Sequence, residues 1–287
     1  ATLIDYENIR DRKMARYLGF GRFAGIVGCF NTLNLFLAHN EFVTLGRAYK
    51  INNYERLKNN LRNVIFPKIR LLVTGDGRVA NGVIELLKET NITQVNKDQY
   101  LNSDINKPVF CNLQTSDYVQ HTNKNTFDLS HFINHPREYS SCALPYLKVT
   151  DVFISAHYWD PASPKIFEKN QLNQLSKLQV IGDITCDLEG SIPTTIKSTS
   201  IENPNFYIDK KNMKEVKNKK NNLGIMAVDN LPAELPRDSS LEFGDGIVNH
   251  VLPFLIENDD GRILNATITK EGHFLEKYSY LNNYLNS

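Results

Sequence analysis

The segment from residue 68 to residue 88 constrains the fold of this 287-residue chain more than any other. An apolar, partly β-branched run ending at Thr74 leads into a turn with Gly75 and Gly77, and a helical apolar pattern follows. A strand, a glycine turn and a helix in this order are typical of a dinucleotide site, because the glycines let the backbone approach a pyrophosphate and the helix N-terminus supplies free N–H groups. Gly82 falls one residue later than the GxGxxG pattern requires, so an ordinary turn between a strand and a helix stays the alternative.

Further apolar runs predict the other strands of a sheet, at residues 147–156, 178–186 and 225–228. We expect an α/β protein: a Rossmann-like, doubly wound, mostly parallel sheet plus part of a second α/β domain. In such a sheet ligands bind beyond the carboxyl ends of the strands. This position makes candidates of His157, Tyr158, Asp183, Asp187 and Asp229.

The second strand of the dinucleotide fold should end near residues 94–97. NAD sites commonly place an acidic residue there, whereas an uncharged residue with a nearby cation accommodates the 2′-phosphate of NADP. Asn96 and Lys97 therefore favour NADP, and a plain exposed lysine is the equally fair interpretation of Lys97.

The remaining pattern predicts helices and the division into domains. Residues 20–40 form an apolar segment in which Ala24, Gly25 and Gly28 would let a buried helix approach another backbone closely, and residues 54–63 predict an amphipathic helix. Near the end we expect helices at 248–256 and 278–284 with a strand at 263–269. The Rossmann-like domain should span 21–236, with 1–20 and 237–287 as the remainder of a discontinuous substrate domain.

Composition excludes several classes of function. The net charge of +1 argues against a nucleic-acid partner, and no apolar stretch approaches the length of a membrane span. The four cysteines have no metal-ligand spacing and are interpreted as buried thiols of a reducing, cytoplasmic compartment. His131 and His135 are four residues apart, but Pro136 follows, so we interpret the pair as a surface helix end and predict no metal site.

Six segments taken together resemble the lysine-ketoglutarate reductase family, the lysine-forming saccharopine dehydrogenases, which are related to alanine dehydrogenase and the transhydrogenases. Their order and spacing match those of this family over nearly the whole chain. They are residues 20–28 (FGRFAGIVG), 74–82 (TGDGRVANG), 135–139 (HPREY), 154–159 (ISAHYW), 183–191 with 198–204 (DITCDLEGS, STSIENP) and 228–237 (VDNLPAELPR).

The resemblance implies an oxidoreductase that condenses lysine with 2-oxoglutarate and reduces the imine to saccharopine, or runs the reverse reaction. The cofactor would be NADP, with NAD as the alternative. Lysine, 2-oxoglutarate and saccharopine would be the partners. By matching positions Arg16 would hold a substrate carboxylate, a surface charge being its alternative, and Phe20 would line the substrate pocket. The implied cofactor contacts are Gly75, Gly77 and Gly82 at the pyrophosphate, Ala156, His157 and Tyr158 along the cofactor edge, and Val228, Asp229, Asn230 and Leu231 beside the nicotinamide.

Two departures from the family pattern limit this assignment. Ala15 stands where related fungal enzymes have a cofactor-binding arginine. The family's acid/base lysine and histidine have no match in this chain, and the resemblance implies that they lie in a segment before Ala1. We therefore assign no catalytic residue here, and neither His157 nor Lys97 should fill that role. The sequence begins inside a strand-like segment without an initiator Met, so we expect a preceding segment, or another copy, to complete the site.

Two other functions stay open, a dehydrogenase of the alanine dehydrogenase type and a non-catalytic dinucleotide-binding module. The compartment would be the cytoplasm, or the mitochondrial matrix in a eukaryote.

Overall fold

A computed structural model describes residues 1–12, 14–102, 104–123 and 125–285. The chain divides into two units, one of residues 21–236 and one of residues 1–20 with 237–287. The helices with α geometry are α1 (Gly21–His39), α2 (Ala48–Ile51), α3 (Tyr54–Arg62), α4 (Arg78–Leu87), α5 (Lys97–Asn102), α6 (Thr115–Tyr118), α7 (Leu129–Asn134), α8 (Leu144–Val149), α9 (Pro236–His250), α10 (Leu252–Ile256), α11 (Arg262–Ala266) and α12 (Asn282–Leu285). Short 3₁₀ turns cover Tyr6–Asn8, Pro136–Glu138, Lys169–Gln174, Leu231–Glu234 and Glu276–Leu281.

The strands of the described residues form three sheets. They are β1 (Leu3–Ile4), β2 (Arg70–Thr74), β3 (Thr93–Gln94), β4 (Val109–Leu113), β5 (Val119–His121), β6 (Tyr139–Ser141), β7 (Val152–Ser155), β8 (Val180–Asp183), β9 (Asn205–Ile208), β10 (Glu215–Val216), β11 (Leu223–Met226), β12 (Thr267–Lys270) and β13 (His273–Phe274). The largest sheet has the order β10-β9-β11-β8-β7-β2-β4-β3. The strands from β11 to β3 run parallel, and β9 and β10 add an antiparallel edge.

The central strands are buried on both faces, which is why they are nearly continuous apolar runs. Leu71 and Val73 of β2 pack with the residues of α1, α3 and α4, whereas Leu72 packs on the opposite face with residues of α5 and α8. Alternation of side chains along the strand therefore builds three layers, with helices on both faces of the sheet. The predicted Rossmann-like α/β class is confirmed.

Helix α1 packs closely against α4, as its glycines predict. A Cβ atom on Gly25 would overlap the carbonyl oxygen of Val79, and one on Gly82 would overlap the carbonyl oxygen of Arg22. Arg22 and Glu85 join the same two helices through paired hydrogen bonds of 2.6 and 2.7 Å. The predictions of a buried helix near 20–40 and of an amphipathic helix near 54–63 are confirmed by α1 and α3.

Two predicted strands are partly helical instead. The first half of the run at 147–156 belongs to α8, because Pro145 stands in the first turn, where its fixed φ favours a helix and its missing N–H costs nothing. Residues 263–266 belong to α11, because the Asp259 carboxylate accepts hydrogen bonds from the N–H groups of Ile263 and Leu264 and so caps this helix. The strand predicted at 263–269 is thereby shortened to β12.

The smaller unit is described by itself. In it β1 and β12 pair antiparallel, and β12 also pairs antiparallel with β13. Ile9, Ile263 and Ala266 form its small buried cluster.

Two expectations from composition can be compared with the structure. Among the described residues, no helix combines the length and the apolar character that crossing a membrane requires. All four cysteines are free thiols, and Cys29 and Cys111 are buried, whereas Cys142 and Cys186 are only partly buried.

Candidate functional site

The connections of the large sheet reverse direction between β2 and β7. From β2 the chain continues to β3 and β4 on one side, then crosses to β7 and β8 on the other side. The helices that follow these neighbouring strands must leave toward opposite faces, which opens a crevice beyond the strands' carboxyl ends. Gly75 follows β2 there, and Ala156 follows β7.

The turn after β2 depends on two glycines for different reasons. Gly75 is needed for its backbone conformation, and Gly77 for the open space beside it. Gly75 has φ of 115°, and a Cβ atom there would lie 2.5 Å from the carbonyl oxygen of Ala156. Both constraints exclude a larger residue without a backbone shift. Gly77 is the N-cap of α4 and offers no side chain to cap the helix. Apart from its chain neighbours, no described residue has an atom within 4 Å of its Cβ position. The first N–H groups of α4 are therefore not covered by a side chain at position 77, as a phosphate site requires.

A cavity of about 440 Å³ lies at this crevice. One wall is the glycine turn with the start of α4, and the facing wall is formed by residues after β7 and β8. The apolar side of α7 closes the cavity. The lining residues are Asp76, Gly77, Arg78, Val79, Thr115, Leu129, Phe132, Ile133, Ala156, His157, Tyr158, Ile184 and Thr185.

His157 is buried at the end of β7 and is held by β2. Its Nδ1 lies 2.7 Å from Oγ1 of Thr74, and the ring of Tyr118 lies 5.5 Å away between centroids. Burial lowers the pKa of His157 to about 4, because the interior penalises the charged imidazolium. The ring is therefore neutral at pH 7. Its Nε2 is buried and has no hydrogen-bond partner among the described residues.

The next residue, Tyr158, has the opposite environment and is 89% exposed at the rim of the same cavity. The predicted group of Ala156, His157 and Tyr158 is thus brought together on one wall, although only its first two members are buried.

Asp183 organises the loop after β8. Its buried carboxylate accepts hydrogen bonds from the hydroxyls of Thr185 at 2.5 Å and Thr195 at 2.6 Å, and from the backbone N–H of Cys186. Burial raises the pKa of Asp183, and these hydrogen bonds oppose that rise. Because Ile184 and Thr185 line the cavity, Asp183 positions one of its walls.

Residues 228–231 follow β11, two strands away from the crevice. Val228 and Leu231 are buried, whereas Asp229 and Asn230 are exposed. Val228 forms an isolated parallel bridge with Thr199. All four lie at the same edge of the sheet as the cavity but outside its lining, so their contact with a nicotinamide stays a prediction.

The structure places Asn96 and Lys97 differently from the sequence-based expectation. They follow β3, which pairs with β4 at the sheet edge, so β4 and not β3 lies beside β2. The Asn96 side chain accepts a hydrogen bond from the N–H of Gln99 and starts α5. Lys97 Nζ lies 2.5 Å from an oxygen of Asp117, which raises the pKa of this lysine. Neither residue lines the cavity, and their position beside a cofactor ribose stays a prediction.

Thr115 and Arg78 are among the lining residues of the cavity that were not predicted from the sequence. Thr115 lies just beyond β4, the true neighbour of β2. Arg78, the first residue of α4, supplies a cation with no ion-pair partner among the described residues. The arginine is visible in the sequence as part of the glycine turn, whereas the place of Thr115 depends on a strand order that is set by non-local pairing.

Gly82 lies in the contact between α4 and α1, where it allows close helix packing, and it does not line the cavity. Its contact with a pyrophosphate stays a prediction.

Arg16 and Phe20 belong to the smaller unit. Arg16 forms a half-exposed ion pair of 3.2 Å with Glu7, and Phe20 stacks on Phe243 with ring centroids 4.7 Å apart. Substrate contacts by these two residues stay a prediction.

Ala1 lies in the same unit, beside β12. Its carbonyl oxygen accepts a hydrogen bond of 3.4 Å from the hydroxyl of Thr269. The acid/base lysine and histidine that the resemblance implies before Ala1 are outside this sequence, so their contribution to the site stays a prediction as well.

The helix end predicted at His131 and His135 is confirmed, since α7 ends at Asn134 and His135 is its C-cap. No carboxylate was predicted beside these histidines. In the structure Glu138 lies 4.0 Å from His131 and 3.8 Å from His135.

Comparison with known proteins gives relatives over nearly the whole chain. No family profile matches. The mitochondrial alpha-aminoadipic semialdehyde synthase of Mus musculus is 25% identical, with 97% of this chain aligned to 36% of that protein. The alpha-aminoadipic semialdehyde synthase of Arabidopsis thaliana is 29% identical, with 98% of this chain aligned to 30% of it. The chain therefore spans about a third of the length of the curated relatives it matches.

Two solved structures share the fold. An L-alanine dehydrogenase superposes with a TM-score of 0.57 at 12% identity, covering 99% of this chain and 69% of that one. A transhydrogenase from Sinorhizobium meliloti gives a TM-score of 0.51 at 11% identity, covering 96% of this chain and 68% of that one. The resemblance inferred from the six segments is confirmed: the homologues are alpha-aminoadipic semialdehyde synthases, and the fold is that of alanine dehydrogenase and transhydrogenase.

Proposed function

We propose that this chain is the dinucleotide-binding part of an oxidoreductase that joins lysine and 2-oxoglutarate and reduces their imine to saccharopine, or catalyses the reverse. One observation carries the proposal. A glycine turn, an uncapped helix N-terminus and a cavity meet where the sheet reverses, in a chain whose relatives align over 97–98% of its length.

The residues present fit a nicotinamide dinucleotide. Gly77 leaves space for a pyrophosphate against the first N–H groups of α4. Leu129, Phe132 and Ile133 offer an apolar surface for a base. Nε2 of His157 is a buried polar atom without a partner among the described residues, at a place where a ligand could supply one. Loss of dinucleotide binding on filling the Gly77 position would support this assignment.

We further propose that the cofactor is NADP, with Arg78 and not Lys97 as the cation for its 2′-phosphate. Arg78 lines the cavity, whereas the ammonium of Lys97 is occupied by Asp117. Asp76, in the same turn, opposes anion binding. NADPH therefore has to gain more binding free energy from Arg78 and the N-terminus of α4 than it loses through repulsion by this carboxylate.

The bound cofactor would supply a hydride. The residues of this chain would bind and orient the cofactor and exclude water from the cavity. Thr74 holds the ring of His157 against the cavity, and Asp183 fixes the loop that carries Thr185. A neutral His157 can form a hydrogen bond with the cofactor through Nε2 without placing a positive charge in the cavity. The acid/base pair that imine formation requires is not assigned to this chain, and we propose that a segment before Ala1 or another copy supplies it.

The first experiment measures NADPH consumption by the purified protein with lysine and 2-oxoglutarate together, and with each omitted. Turnover that needs both substrates supports the proposal. Turnover with pyruvate and ammonia would instead support the alanine dehydrogenase alternative, which the fold neighbour favours. Binding of NADPH without turnover would favour a non-catalytic dinucleotide-binding module. A protein that binds no dinucleotide would contradict all three.

Binding can be followed through Trp159, the one tryptophan of the chain, which directly follows the cavity residue Tyr158. Energy transfer from Trp159 should saturate as NADPH is added. Half saturation should require a higher concentration of NADH than of NADPH. The compartment stays a proposal as well: the cytoplasm, or the mitochondrion that the name of the mouse relative gives for that protein.

A further inference from the structure

Three histidines surround one glutamate beside α7. His121 ends β5, His131 lies on α7, His135 caps the end of that helix, and Glu138 stands just before β6. Pairing of β5 with β6 brings His121 next to Tyr139 and thereby next to Glu138. We refer to the three histidines and Glu138 as the histidine cluster.

The donor atoms of His121, His131 and Glu138 lie close enough to one another to reach a single metal ion after a small movement. Carboxylate oxygens of Glu138 lie 3.5 Å from Nε2 of His121, 4.0 Å from Nε2 of His131 and 3.8 Å from Nδ1 of His135. All three are too long for good hydrogen bonds. Ligand atoms at about 2.1 Å from a tetrahedral zinc ion lie roughly 3.4 Å from one another. Donor atoms of His121, His131 and Glu138 all lie within 4.8 Å of one another, so a small inward movement would bring them to one ion.

The two contacts of the Tyr139 hydroxyl favour the tautomer of His131 that a metal ligand needs. The hydroxyl of Tyr139 donates to the carbonyl oxygen of Asp128, so its oxygen is free to accept the proton on Nδ1 of His131, 3.1 Å away. The lone pair of His131 is thereby placed on Nε2, facing Glu138. A second hydrogen-bonding residue that fixes the ring in this way is characteristic of metal-binding histidines.

His121 would have to change its tautomer for the same role. Its Nδ1 accepts the backbone N–H of Asn123 at 3.0 Å, which leaves the proton of the neutral ring on Nε2. Ligation through Nε2 requires that this proton leave and that the hydrogen bond with Asn123 be given up. The affinity should therefore be lower than that of a structural zinc site whose ligands are all preorganised.

We propose that His121, His131 and Glu138 bind a divalent transition-metal ion such as Zn²⁺, with His135 at the exposed side as a further ligand. Imidazole and carboxylate ligands suit zinc, nickel and copper better than magnesium or calcium. Such an ion would join the β5/β6 pair to α7. Metal binding would thereby hold in place the helix whose apolar side chains close the cavity.

The test is a titration of the tag-free protein with Zn²⁺ by calorimetry and with Co²⁺ by visible absorption. We expect one equivalent to bind with a Kd below about 100 μM, a tetrahedral Co²⁺ spectrum, and a higher Tm with metal. His131→Gln and Glu138→Gln should each weaken binding at least tenfold. Both side chains are about half exposed, so both variants should fold with the Tm of the metal-free wild type.

His273→Gln serves as the matched control, because His273 is exposed in the smaller unit. It should bind metal like the wild type. The proposal is overturned if no ion binds below about 1 mM, or if both cluster variants bind as tightly as the control. A thiolate charge-transfer band with Co²⁺ that persists in the variants would place the ion on a cysteine and would also overturn it. None of these results depends on whether the protein binds a dinucleotide.

Discussion

Nδ1 of His157 lies 2.7 Å from the hydroxyl oxygen of Thr74, and this contact joins the last residue of β2 to the residue that opens the far wall of the cavity. Two neighbouring parallel strands are thereby tied together at the point where the sheet reverses. The contact places a buried, neutral imidazole beside the glycine turn, and its energetics can be measured without knowledge of the ligand.

The first prediction concerns pH. The pKa of His157 is lowered to about 4 from an ordinary 6.5, so the unfolded chain binds this proton more readily than the folded protein. Above about pH 6.5 the titration of His157 does not lower the free energy of unfolding. Below that pH the free energy of unfolding falls as the pH drops toward 4, by about 3 kcal/mol in total. Urea unfolding at a series of pH values should show this fall.

His157→Gln supplies the comparison, because it removes the titrating group and keeps a polar side chain of similar size. The buried acids Asp183 and Glu234, whose pKa values are raised by burial, titrate in both proteins with the opposite sign. The difference between the two proteins therefore isolates His157. An identical slope of unfolding free energy against pH in both would show that His157 is not buried as the structure has it.

The second prediction separates the two glycines of the turn. Gly75→Ala should destabilise the fold by about 2 kcal/mol or more, because φ is 115° and the new Cβ meets the carbonyl oxygen of Ala156. Gly77→Leu should leave stability within about 1 kcal/mol, since no described residue other than its chain neighbours lies within 4 Å of its Cβ position. Thermal unfolding measures both changes.

Dinucleotide binding adds the functional half of this comparison. A folded Gly77→Leu protein should lose NADPH binding, because the side chain would occupy the space proposed for the pyrophosphate. Unchanged NADPH affinity in this variant would refute the placement of the cofactor while leaving the fold intact.

The strand, the glycine turn and the helix were predictable because each depends on a local pattern within 21 residues. The strand order was not, since pairing is non-local and chain order suggested β3 as the neighbour of β2. The polarity of the residues did hold a usable signal for the strand order. Val109, Phe110 and Cys111 of β4 are apolar, as a central strand requires, whereas Thr93 and Gln94 of β3 are polar and exposed. The place of His121 in the histidine cluster was hidden for the same reason, because this residue meets the other members only through the pairing of β5 with β6.

The third prediction concerns cofactor choice. Arg78→Ala should weaken NADPH binding by about tenfold to a hundredfold, the value of a charged hydrogen bond to a phosphate, and should weaken NADH binding much less. Lys97→Ala is the matched control, since it also removes one positive charge, but from a lysine paired with Asp117 outside the cavity lining. Equal losses for NADPH and NADH in Arg78→Ala, or a selective loss in Lys97→Ala, would return the 2′-phosphate to the position expected from the sequence.

The last prediction concerns the loop after β8. Asp183→Asn replaces one of two accepting oxygens with a donor, so the hydroxyls of Thr185 and Thr195 can no longer both donate to this side chain. We expect a loss of about 1–3 kcal/mol in stability and faster hydrogen exchange across residues 184–195. Asp187→Asn makes the same chemical change at an exposed position of this loop and should shift stability by less than about 0.5 kcal/mol. If the two variants proved equally stable and exchanged alike, the Asp183 carboxylate would not be what holds Thr185 against the cavity.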